Sequence, residues 1–207
     1  MIPIERVLFL GQSCTTAMPP LTALLEAGFP IPAIVLARQP ATRLGEIQRV
    51  AAAAGIPVIW VKSAAEATEA IRSIAPQAAI AACFLWRLPR EACETPPLGI
   101  LNVHPSLLPA GRGPEPVFWT LRRGEPVTGV TVHRMDAGFD TGPIVAQAQM
   151  PVPVGISGPE LERDLMTVGG SLLVTALPAF AAGTPSPDRN RPRGSARPPC
   201  RDRPIGR

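Results

Sequence analysis

With 207 residues, 46% of them hydrophobic and 17% charged, the chain is long enough to bury one substantial core and is expected to form one main domain. Its net charge of +4 is confined to one end: residues 184–207 hold seven arginines and two aspartates, leaving 13 basic against 14 acidic side chains, a net −1, in residues 1–183. That excludes a general electrostatic footprint for nucleic acid on the body, although not a local patch, and the lack of a leader pattern or of about 20 unbroken apolar residues predicts a cytoplasmic protein without a membrane anchor.

Arg6–Gly11 reads as a short buried strand and Leu21–Gly28 as a helix closed by glycine. Ile31–Ala37 gives a second strand, Gly45–Gly55 an alanine-rich helix and Pro57–Val61 a third strand. Ser63 can cap a helix running to Ala75, with Glu66 at the capping-box position, before a fourth strand over Ala78–Phe84. There follow a strand over Gly99–His104, a turn-rich loop to Pro114, a helix over Glu115–Arg123 and a strand over Gly129–Met135. Pro143–Met150 alternates like an edge strand, and Glu160–Ala182 is the closing helix. Strands that alternate with helices and lack polar faces predict an α/β fold: a Rossmann-like three-layer sandwich, its mostly parallel sheet covered by helices on both faces. Thr184–Arg207, with six prolines and hardly any aliphatic residues, cannot bury enough surface to order itself and is expected to be a disordered Arg/Pro-rich tail outside a domain of residues 1–183.

The four cysteines are scattered without C-x-x-C spacing and are expected to be reduced thiols. With two histidines and no ligand spacing around them, no metal site is expected. Asn102 and His104, two apart at the end of an apolar strand, point to one face, and Pro105 releases the strand into a loop at the carboxyl edge, where open α/β sheets bind ligands. An amide donor and a titratable ring facing one cleft suit catalysis, but the same pair could equally close a strand with turn hydrogen bonds. Asp136-Ala-Gly138-Phe-Asp140-Thr-Gly142 lacks the remaining ligands of a calcium loop and by itself reads as a polar turn. His133, in Val130–Met135, is expected to be a structural strand histidine.

Taken together, Asn102-Val-His104-Pro-Ser106-Leu-Leu-Pro109, Gly111-Arg-Gly113, Thr128-Gly-Val-Thr131 and Asp136–Gly142 resemble, in order, the catalytic domain of the formyltetrahydrofolate-dependent formyltransferases. The resemblance covers residues 6–183 and is strongest over 99–150. It implies N10-formyltetrahydrofolate as formyl donor, no metal, and Asn102, His104 and Asp140 as the catalytic trio. Asn102 and a protonated His104 would stabilise the oxyanion of a tetrahedral intermediate, while Asp140 orients the imidazole and helps move protons. It also implies a pterin pocket formed by Phe84, Leu85, Trp86 and Leu88 on one side and by Asp136, Ala137, Gly138 and Phe139 on the other, with Ser106, Leu107, Leu108, Pro109 and Arg112 on the acceptor side. The segment Gly11-Gln-Ser-Cys14 departs from the glycine-rich phosphate loop of the glycinamide ribonucleotide branch. The implied acceptor is therefore a tRNA-linked amine of the methionyl-tRNA type, with an amino-sugar nucleotide, or hydrolysis of the donor by water, as alternatives.

Overall fold

The computed structural model describes residues 3–12, 14–37, 45–183 and 190. Among these residues seven strands form one sheet: β1 (Val7–Gln12), β2 (Ile34–Ala37), β3 (Val58–Val61), β4 (Ala78–Ala82), β5 (Ile100–His104), β6 (Val127–Arg134) and β7 (Ile144–Pro151). Their order is β3-β2-β1-β4-β5-β6-β7, parallel from β3 to β5 and antiparallel at β6 and β7. Among the described residues six α-helices accompany them: α1 (Met18–Glu26), α2 (Glu46–Ala53), α3 (Ala64–Ile74), α4 (Arg90–Glu94), α5 (Pro116–Arg123) and α6 (Gly158–Ala181).

Side chains on alternate positions of the strands feed two separate cores, as the pleat requires. Val7, Phe9, Ile34, Leu36, Ile80, Leu101, Val103, Val130 and Val132 meet α1, α2, α5 and α6 on one face. Leu8, Leu10, Val35, Ala79, Ala81 and Ile100 meet α3 and α4 on the other. The three-layer α/β architecture expected from the strand-helix alternation is the one observed. Because α1 and α2 lie on one face and α3 and α4 on the other, the chain changes sides between β1 and β4, so the carboxyl edge opens into a crevice there.

The element ends differ from the sequence reading for local reasons. β2 begins at Ile34 rather than Ile31, since Pro32 has no N–H for the ladder. β4 ends at Ala82, where Cys83 turns the chain with φ 53°. Ser63 caps α3 by accepting from Glu66 N at 3.1 Å, a contact of the kind worth about 1 kcal/mol. α6 starts at Gly158 through a reciprocal Ser157–Glu160 capping box and carries Pro178 inside it. Although α6 is long and apolar enough to cross a membrane, Leu161, Leu165, Met166, Leu173 and Leu177 are buried in the first core. The short α4 lies where the sequence pattern predicts no element. The tail expectation for 184–207 falls outside the described residues except at Asn190, which is 3% exposed.

Candidate active site

Ile100 belongs to the second core, so Asn102 and His104, on the same side of β5, also point to that face. The antiparallel register sets Asn102 opposite His133 and His104 opposite Thr131. Four polar residues therefore sit where the second core ends, and two loops cover them instead of a helix. One is the 105–114 loop after β5. The other is the 135–143 loop between β6 and β7.

The loop after β5 is pinned to the sheet. Thr131 Oγ1 donates to the Ser106 carbonyl at 2.6 Å and accepts from Leu108 N at 3.1 Å, while Gln147 Nε2 donates to the Leu108 carbonyl at 2.8 Å. The Leu108–Pro109 bond is cis, and Ser106 Oγ donates to the Ala110 carbonyl at 2.9 Å. This brings the Gly111 carbonyl to 2.8 Å from His104 Nε2 and Gly113 N to 2.9 Å from Asp140 Oδ2. Gly111 has φ 71°, and a Cβ there would lie 2.8 Å from the Ser106 Cβ, so both conformation and space require glycine.

The second loop is built on Asp136, whose Oδ1 accepts from Gly138 N at 2.9 Å and Thr141 Oγ1 at 2.6 Å. Asp140 is itself in the left-handed region, φ 50°, which a short polar side chain tolerates. Besides accepting from Gly113 N, its carboxylate then faces three side chains. Asn102 Nδ2 donates to Oδ1 at 3.5 Å, His133 Nε2 lies 3.4 Å from Oδ1, and His104 Nδ1 lies 3.7 Å from Oδ2.

Burial alone would raise the Asp140 carboxyl, but the His133 hydrogen bond, the His104 ring and the Gly113 amide outweigh it and hold the pKa at about 2. For His104 burial wins: it lowers the pKa from 6.5 despite the opposing pull of Asp140 and the Gly111 carbonyl, with His133 adding to the lowering. The lowering favours a neutral ring at rest. With Nε2–H committed to a carbonyl that can only accept, the lone pair is on Nδ1, facing Asp140.

His133, expected to be a structural strand residue, is 2% exposed and also lies in direct contact with two of the trio. Its Nε2 is 3.1 Å from Asn102 Nδ2 and its Nδ1 3.2 Å from the Arg134 carbonyl. Unprotonated, Nε2 accepts from the amide; protonated, it donates to the carboxylate. The antiparallel register that sets it opposite Asn102 could not be read from either strand alone.

A cleft partly open to solvent adjoins this cluster. Phe84, Leu85, Trp86, Asn102, His133, Asp136, Gly138, Phe139 and Asp140 are among its walls. Phe84 and Trp86 pack edge to face at 5.7 Å, and Arg87 lies over the Phe139 ring at 5.5 Å. Leu88 lies in the second core, 1% exposed, because the chain has turned inward by then to begin α4. Ala137 adjoins the cleft in sequence without being one of its walls. Ser106 and Leu108 are buried supports of the first loop, Leu107 packs toward Gly129 and Pro109 is exposed. Arg112 turns toward Asn190. Among the described residues no three His, Cys, Asp or Glu side chains are grouped to hold a metal ion.

Residues 35–177 match the formyl transferase family. The chain is 40% identical over 188 residues to a methionyl-tRNA formyltransferase of Chloroflexus aggregans, covering 86% of this chain and 60% of that protein. It is 38% identical over 192 residues to one of Chloroflexus aurantiacus, covering 88% and 61%. The crystal structure of glycinamide ribonucleotide transformylase 1 from Symbiobacterium toebii superposes with a TM-score of 0.75 at 26% identity, covering 87% of this chain and 89% of that one. This chain thus spans about 60% of the length of the curated relatives it matches. It belongs to the formyl transferase family.

Proposed function

We propose that this chain transfers a formyl group from N10-formyltetrahydrofolate to a primary amine, with Asn102, His104 and Asp140 as the catalytic residues, in the cytoplasm and without a metal. The observation that carries the reading is the convergence of an amide, an imidazole and an ionised carboxylate beside a cleft walled by Leu85, Trp86 and Phe139. Such a cleft accepts a flat heteroaromatic ring, with the backbone of the 135–143 loop supplying polar partners.

The roles follow from the atoms. Asn102 has two N–H groups on Nδ2; the one directed to Asp140 spans 3.5 Å and is weak enough to be redirected to the formyl oxygen as the amine attacks. His104, neutral at rest, takes the proton released by the amine at Nδ1. Asp140, ionised throughout, offsets the imidazolium charge so formed. Returning that proton to the folate nitrogen allows the carbon–nitrogen bond of the donor to break. His133 holds Asn102 and Asp140 in mutual reach.

The similarity to methionyl-tRNA formyltransferases supports a tRNA-linked amine as acceptor. The test follows tetrahydrofolate release from 10-formyltetrahydrofolate with methionyl-tRNA, amino-sugar nucleotides, glycinamide ribonucleotide or water alone. Turnover that requires methionyl-tRNA is the expected result. Equal turnover in water alone would mean hydrolysis of the donor, and turnover only with a sugar nucleotide would reassign the acceptor.

A further inference from the structure

Asn190, seven residues past Gly183, the last residue of the turn that follows α6, is packed at 3% exposure against the two loops that build the site. Its Nδ2 donates to the carbonyl of Asp140 at 3.1 Å and to that of Gly142. Arg112 Nη2 donates to its Oδ1 at 2.7 Å and to its main-chain carbonyl. All four contacts therefore fall on the residue between Gly111 and Gly113, or on Asp140 and its second neighbour.

These are the positions that set the geometry of the trio. Gly111 supplies the carbonyl that fixes His104 Nε2, and Gly113 supplies the amide that binds Asp140 Oδ2. Asp140 holds φ 50°, which an aspartate tolerates at some cost in free energy that its surroundings offset. The Asn190 amide binds its main-chain carbonyl directly. The Arg112 guanidinium, whose Nε is buried without a hydrogen-bond partner among the described residues, has Asn190 as its anchoring acceptor. Removing Asn190 would leave further buried groups of both loops without partners, which costs more than the mean value of a hydrogen bond.

We propose that Asn190 is a positioning residue of this active site: it clamps the Arg112 loop to the Asp140 loop and thereby holds Asp140 between His104 and His133. It acts through those loops and touches none of the reacting atoms. The segment beyond α6, which the composition assigns to a tail, supplies part of the catalytic framework through this one side chain. The inference deepens the formyl-transfer reading and rests on it for its kinetic consequence, but the clamp itself can be tested without turnover.

The experiment compares the full chain with Asn190→Ala and Asn190→Asp. The aspartate keeps the acceptor for Arg112 and the size of the side chain but loses both donors to the loop carbonyls. Hydrogen–deuterium exchange is measured on peptides covering 105–114 and 136–143, alongside kcat, the KM for 10-formyltetrahydrofolate and the melting temperature. Both variants are expected to exchange several-fold faster in those two peptides only, to lose about tenfold in kcat while the donor KM changes less than about twofold, and to melt only a few degrees below the parent. Exchange at the parent rate in both variants overturns the clamp, as does faster exchange across the whole chain with a matching loss of melting temperature. Local loosening in both variants with no folate-dependent turnover in the parent leaves the clamp standing and refutes the formyl-transfer reading instead.

Discussion

Asn102 and His133 are direct cross-strand partners on β5 and β6, and their side chains meet at 3.1 Å between Nδ2 and Nε2. The pairing ties the amide proposed to receive the oxyanion to a ring that also reaches Asp140. The ladder shifts between Val132 and His133, a local irregularity of the kind that re-aims a side chain beside a functional site.

His133→Phe keeps an aromatic ring and removes the polar contacts to Asn102, Asp140 and the Arg134 carbonyl. It is expected to lower kcat by about tenfold, because two hydrogen bonds within the site are lost while the apolar packing remains. Steady-state kinetics on the variant, with its melting temperature, check this; parent kcat would make His133 a packing residue only.

Asn102→Ala removes a proposed donor to the developing oxyanion, and losses of this kind are about 3 kcal/mol, a hundredfold or more in kcat. The donor KM is expected to move little, since the interaction strengthens only as charge develops on the formyl oxygen. A proportional rise in KM with kcat intact would instead mark Asn102 as a ground-state binding group.

The pH dependence follows from the two shifted groups. His104 has its folded pKa lowered below 6.5, so the unfolded chain binds this proton first, and stability is lost as pH falls through the window beneath 6.5. Asp140 is held at about 2 against an ordinary 3.8; its contribution is full above about pH 4 and lost as pH falls toward 2, amounting to roughly 2 kcal/mol at most. Urea unfolding at pH 7, 5, 4 and 2.5 is expected to show falling midpoints, and His104→Gln should flatten the part between pH 7 and 5. Since the proposed mechanism needs neutral His104, the acid limb of the kcat/KM profile is expected below pH 6.5.

Much of this framework is legible in the sequence, because hydrophobic runs broken by glycine and proline mark strands that alternate with helices. The shared face of Asn102 and His104 follows from strand periodicity alone. Asp140 is different: its motif reads as an ordinary turn until Gly113 N and the two imidazoles are brought to it by loops whose path no periodicity records. His133 depends on an antiparallel register set thirty residues away in the chain, and Asn190 lies in a stretch whose composition speaks only of poor burial. Long-range pairing and single-residue docking leave no local pattern.

The thiols offer a probe of the crevice at the carboxyl edge. Cys14 is lowered from 9.0 to about 6, chiefly by a hydrogen bond from the Cys83 thiol, against the opposing effect of burial and with help from the Ala17 and Thr16 amides. Cys83 is correspondingly raised, and burial lifts Cys93 to about 11. Among these three, Cys14 is therefore expected to be alkylated first at pH 7. Mass spectrometry after brief iodoacetamide treatment checks the order, which Cys14→Ser should abolish at that site without accelerating Cys93.

The most direct test of the proposed function is formyl transfer by Asp140→Asn, which keeps the shape of the side chain and removes the charge that offsets the His104 imidazolium. Tetrahydrofolate release is measured with 10-formyltetrahydrofolate and the best acceptor for the parent chain. The expected result is a folded variant that has lost a hundredfold or more in kcat, of the order seen when a positioned acid–base partner is removed. A folded Asp140→Asn protein that turns over at the parent rate would contradict the assignment of Asn102, His104 and Asp140 as the catalytic residues.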